Sequence, residues 1–82
     1  MKIEVTQDDI ERGDHTAWNC PVARACTRKG LTSVLIHPTN YYLEYKSSIH
    51  MHYNPLEVTK FIKNFDLDTE VHPFEFDERF QN

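Results

Sequence analysis

With only two glycines, Gly13 and Gly30, each standing alone, the chain cannot build a glycine-rich phosphate loop. Two cysteines, Cys20 and Cys26, are too few for a disulfide framework. On one helix they would sit on different faces about 9 Å apart along the axis, too far to bridge. No apolar run approaches membrane-spanning length, and Met1-Lys2-Ile3-Glu4 is not followed by a signal-peptide core. The expected setting is therefore soluble and cytoplasmic, with no membrane partner. Repeats, low-complexity segments and linkers are also missing. What remains is 82 residues, 39% hydrophobic and 12% aromatic, which suits one folded domain over 1–82 with a single small core.

Charge is unevenly placed. Residues 1–50 carry six basic and six acidic side chains, so the whole net charge of −4 falls in residues 51–82. Asp66, Asp68, Glu70, Glu75, Asp77 and Glu78 follow one another with no base among them. Such an edge disfavours nucleic acid as a partner. It reads first as a solvated acidic edge, and second as a mimic of nucleic acid that would inhibit a basic host protein. Arg24, Arg28 and Lys29 form a basic cluster too small for a nucleic-acid footprint.

The clearest element spans Asn54–Phe65. Asn54 is placed to cap a helix, Pro55 fits its first position, and Glu57 completes a capping box. Val58, Phe61, Ile62 and Phe65 recur at helical spacing and need an apolar surface to cover. A second helix runs from Trp18 to Lys29, with Asn19 or Cys20 as cap, Pro21 in the first turn and Gly30 as stop. Trp18, Val22, Ala25 and Cys26 form its inward stripe. Thr6 and Asp9 resemble a capping box for a brief helical turn ending at Gly13. Cys20 reads as a packed cap; its place at a helix N-terminus leaves a reactive thiolate as the alternative.

Lys2–Val5 alternates as a first strand, and Val71–Asp77 as a last one, with Phe74 and Phe76 inward and Pro73 at its start or edge. Phe80 is expected to cover the end of the core or fray. Between the helices, Thr32–Ile36, Tyr41–Tyr45 and Ile49–Tyr53 are strand-like. A meander with a three-residue second connection, Lys46-Ser47-Ser48, pairs Tyr45 with Ile49, Leu43 with Met51, and Tyr41 with Tyr53. Val34, Ile36, Tyr41, Leu43, Tyr45, Ile49, Met51 and Tyr53 then face the helices. The opposite face carries Ser33, Leu35, Tyr42, Glu44, His50 and His52. Leu35, Tyr42, Glu44, His50 and His52 form the candidate contact patch for a protein partner or self-association. His50 and His52, two apart on a strand and near Glu44, also invite a metal, although an exposed His50–Glu44 ion pair explains them equally well.

The opening Ile3-Glu4-Val5-Thr6-Gln7, the helix start Cys20-Pro21-Val22-Ala23 and the ending Phe65-Asp66 … Val71-His72-Pro73-Phe74-Glu75-Phe76 resemble small uncharacterised proteins of tailed bacteriophages and prophages. The resemblance implies a phage accessory protein and carries over no activity, cofactor or catalytic residue. The expected architecture is α+β: an antiparallel sheet of four or five strands with two main helices packed on one face. The expected function is non-enzymatic protein–protein interaction, without a cofactor. A small metal- or thiol-dependent enzyme is the remaining alternative.

Overall fold

A computed structural model of the chain describes residues 1–78; the expectation for Phe80 lies outside them. The order of elements is β1 (Lys2–Val5), α1 (Gln7–Arg12), α2 (Pro21–Arg28), β2 (Thr32–Ile36), β3 (Asn40–Tyr45), β4 (Ser48–Tyr53), α3 (Leu56–Asp66) and β5 (Phe74–Asp77). The fold is α+β with every strand pair antiparallel, and the five strands divide between a β1–β5 ribbon and a three-stranded sheet in the order β2-β3-β4. No helix among the described residues is long and apolar enough to cross a membrane.

Local sequence accounts for the helix starts. Thr6 and Asp9 make the reciprocal capping box of α1, with each side chain accepting from the other's backbone N–H. At α2, Cys20 is the cap and Pro21 occupies the first turn, where its missing N–H costs nothing. Gly30 follows the end of α2 at φ +107°, a conformation other residues adopt only with strain.

At α3 the expected capping box does not form. Pro55 is the cap residue, its carbonyl accepting from the Val58 and Thr59 N–H groups, and no side chain caps the helix. Asn54 serves the sheet instead: its N–H donates to the Thr39 carbonyl and its Nδ2 to the His37 carbonyl at 2.7 Å. These bonds lock the end of β4 to the β2–β3 turn, a stronger demand on Asn54 than an exposed cap.

The core draws Ile3, Val5 and Phe76 from the ribbon, and Val22, Ala23, Ala25 and Cys26 from α2. The inner face of the three-stranded sheet adds Val34, Ile36, Tyr41 and Leu43, and α3 adds Val58, Phe61 and Ile62. Burying each large apolar side chain stabilises the fold by roughly 1.5–3 kcal/mol, so the two helices are held mainly by these stripes. Phe61 lies against Phe74 at 4.8 Å between ring centres, which ties α3 to β5. Trp18 departs from its expected place. The helix begins at Pro21, so helical spacing does not carry Trp18 inward, and its side chain is 66% exposed.

One buried acid organises the α1–α2 corner. Asp9 is fully buried, and Arg28 reaches it with two bonds of 2.6 and 2.8 Å while also donating to the Glu4 carbonyl. Arg24 Nε lies 3.7 Å from the same carboxylate. The basic residues of α2 are thus largely committed within the fold. Burial would raise the Asp9 carboxyl, but the bonds from Arg28 and Thr6 outweigh it and hold it below the ordinary carboxylate value.

Candidate binding surface

The side that each strand presents is decided at two places where the backbone takes positive φ without glycine. In the β3–β4 hairpin, Tyr45 pairs with Ser48, leaving Lys46 and Ser47 as a two-residue turn with φ of 51° and 64°. Two central residues of positive φ are what a type I′ turn requires, because its twist matches that of the flanking strands. The expected three-residue connection is therefore shorter by one, and every pairing along β4 moves with it. Leu43 faces His50 rather than Met51, and Tyr41 faces His52 rather than Tyr53. Because side chains alternate, this single step turns β4 over.

The second place is Ser33, at φ 53°. Thr32 pairs with Glu44 and Leu35 with Tyr42, so Ser33 and Val34 together oppose the single residue Leu43, as in a β-bulge. Ser33 Oγ donates to Glu44 Oε1 at 3.0 Å, and Thr32 Oγ1 donates to the Glu44 carbonyl, which fixes the bulge from its side chains. Beyond the bulge Val34 and Ile36 lie in the core and Leu35 outside, as expected.

The candidate patch is consequently rearranged. Leu35, Tyr42 and Glu44 stay on the outer face as expected. His50 and His52 do not: they project on the inner side, and His52 stacks on the buried Tyr41 at 5.4 Å. In their place stand Ile49, Met51 and Tyr53, which are 62%, 47% and 76% exposed. Leu35, Tyr42 and Met51 form one cross-strand row, with Glu44 and Ile49 paired in the next. The expected grouping of His50 and His52 with Glu44 is undone by the same step, since Glu44 points the other way. Among the described residues no three His, Cys, Asp or Glu side chains converge as metal ligands.

Trp18 extends this face beyond β2. The Ile36 N–H donates to the Ala17 carbonyl at 2.8 Å, docking the Asp14–Asn19 loop onto the strand edge. Inside the loop, Asp14 accepts from the Thr16 N–H and hydroxyl and from Asn19 Nδ2, so the loop that carries Trp18 is well tied down. Trp18, Val34, Leu35, Tyr42 and Ile49 surround a groove of about 580 Å³. Sequence patterning missed Ile49, Met51 and Tyr53 as surface residues because apolar alternation alone assigns them to the core, and missed Trp18 because helical spacing was extended to it ahead of Pro21. The one available signal was the shortest admissible loop at Lys46-Ser47, which lacks the Asn-Gly that usually marks it.

The other candidates are accounted for within the fold. Cys20 Sγ accepts from the Ala23 N–H at 3.4 Å, and burial pushes its thiol up, more than that bond pulls it down. Cys26 is pushed up to about 12 by burial, aided by Glu78. Both are then neutral thiols at pH 7, the opposite of an activated nucleophile. Acids of the C-terminal edge have local partners. Asp66 pairs with His15 at 3.1 Å, Glu75 and Asp77 both lie 3.8 Å from Lys2 Nζ, and buried Glu78 accepts from the Tyr41 hydroxyl. No family model matches the chain, and no curated protein or solved structure is similar enough to count as a match.

Proposed function

We propose that this protein is a non-enzymatic interaction module that binds another protein surface through the outer face of its three-stranded sheet. With the phage resemblance of its terminal motifs, the role that fits is that of a phage accessory protein. One observation carries the reading: β4 turns its apolar alternation outward and its histidines inward. A strand free to choose would bury Ile49, Met51 and Tyr53, since each fully buried side chain of that kind is worth roughly 1.5–3 kcal/mol. The fold forgoes that gain and also accommodates positive φ at Lys46 and Ser47 to set the side. Aromatic and aliphatic side chains gathered in the open on one sheet face are the mark of a contact surface rather than of ordinary surface.

The test is site-specific photocrosslinking in bacterial cells. A benzoylphenylalanine replaces Met51, which stands on the face beside Tyr42, or Leu67, which is 71% exposed just after α3. Protein adducts at position 51, absent at 67 and lost when Leu35→Glu and Tyr42→Ala are added, are the expected result. Equal adducts at both positions, or none at 51, would reject the assignment.

A further inference from the structure

We infer that the occupant of this face is a second copy of the same chain, two sheets packing face to face about a two-fold axis. The inference rests on the interaction reading above and names its partner. Three features of the face favour self-pairing.

The first is size. Trp18, Leu35, Ile49, Met51 and Tyr53 are 66%, 38%, 62%, 47% and 76% exposed. Since a large aromatic presents about 150–250 Å², these five leave roughly 500–600 Å² in water. That is at the upper end of the largest patch on an ordinary monomer, and two such patches together reach the roughly 1,000 Å² expected of a real interface. The second is charge. Glu44 is the only charged side chain that β2, β3 and β4 direct onto this face within their paired stretches, and Ser33 Oγ is bonded to it. A face rich in Trp, Tyr, Met, Ile and Leu and almost without charge has the makeup of a homodimer core rather than of a steered transient contact. Acids of β5 do not oppose the approach, because Phe76 and Glu78 place that strand on the inner side of the core.

The third is layering. The inner face of the sheet is covered by the core, whereas the outer face of the described chain is not, and a sheet apolar on both sides is normally covered on both. Two copies related by a two-fold axis each present the same surface, so residue pairs across the interface repeat reciprocally. The two three-stranded sheets would stack about 10 Å apart as an aligned sandwich, with the helices outermost. The groove between Trp18 and Tyr42 gives each sheet a concavity that an exposed side chain of the other copy can fill.

Trp18 is the chain's one tryptophan, so it reports on the face directly. Sedimentation equilibrium of the full chain should give twice the 9.7 kDa chain mass. Dilution should return the monomer, with the Trp18 emission moving red and its acrylamide quenching rising at the same midpoint. Met51→Lys should weaken the dimer roughly thirtyfold, the loss a buried anchor residue carries, because it sets a charge beside Tyr42 in the cross-strand row. Leu67→Lys should leave both readings unchanged, and circular dichroism of each variant confirms that it is folded. A dimer that survives both Met51→Lys and Leu35→Lys would overturn the assignment of the face. A monomer at every concentration, with adducts of another protein at position 51, would overturn the second copy and leave the interaction reading standing. A monomer with no adduct at 51 would remove both.

Discussion

Replacing Arg28 with alanine removes the two donors that hold the buried Asp9 carboxylate and the bond to the Glu4 carbonyl. Stripping one partner from a fully buried ion pair costs about 3–5 kcal/mol, most of it from the charge left behind. Here the loss is smaller for two structural reasons. The Thr6 N–H still reaches Asp9 at 2.9 Å with Arg24 Nε 3.7 Å away, and the Arg28 side chain is half exposed, so part of the pair was already solvated. About 2–3 kcal/mol is expected, a large share of the roughly 4–12 kcal/mol that a chain of this length commands. In a thermal melt this lowers Tm by roughly 10–20 °C.

The same pair sets an acid limb. Because the folded Asp9 carboxyl lies below its ordinary 3.8, it contributes stability that is present above the unfolded value and lost as pH falls through the folded one. Arg28→Ala should move that loss to higher pH, and Asp9→Asn should remove it. Urea melts at pH 2.5, 4 and 7 on the three proteins measure both effects. A cost below about 0.5 kcal/mol for Arg28→Ala, the scale of an ordinary surface substitution, with an unmoved acid limb, would refute the buried-pair account.

Substituting Lys46→Asn with Ser47→Gly should stabilise the fold by about 1–2 kcal/mol in urea, since Asn and Gly accept the positive φ that Lys and Ser adopt at a cost. Gly13→Ala should destabilise it by about 1–3 kcal/mol by the same assay. A Cβ there would lie 2.7 Å from the Pro21 nitrogen and 2.8 Å from the Asp9 carbonyl, both backbone atoms that cannot step aside. Native protein at pH 7 should react with a disulfide reagent far more slowly than denatured protein, because Cys20 and Cys26 are buried and their thiols are raised. A fast-reacting native thiol would reopen thiol chemistry.

Much of the fold was legible because helix starts are written locally. Thr6 with Asp9, and Cys20 with Pro21, specify α1 and α2 within a few residues, and the Val58, Phe61 and Ile62 stripe marks α3 without tertiary help. Asn54 misled because it can satisfy either a helix end or a neighbouring strand, and only the folded sheet offers the His37 and Thr39 carbonyls. The outer face was half legible: Leu35 and Tyr42 sit where alternation puts them. Ile49 and Met51 do not, because hydrophobic sorting assumes that the greasiest side of a strand faces inward. In β4 a two-residue turn lacking glycine overrides that preference, and a short loop of such chemistry leaves little trace in the sequence.

The side that β4 turns to the core decides whether the proposed surface exists at all. Cross-strand backbone NOEs on isotopically labelled protein test it most directly. The structure predicts contacts linking Tyr42 to Met51, Leu43 to His50 and Tyr41 to His52, with the His52 ring shifted by the stacked Tyr41. Contacts linking Leu43 to Met51 and Tyr41 to Tyr53 would contradict it, returning Ile49, Met51 and Tyr53 to the core and leaving no apolar outer face to bind a partner.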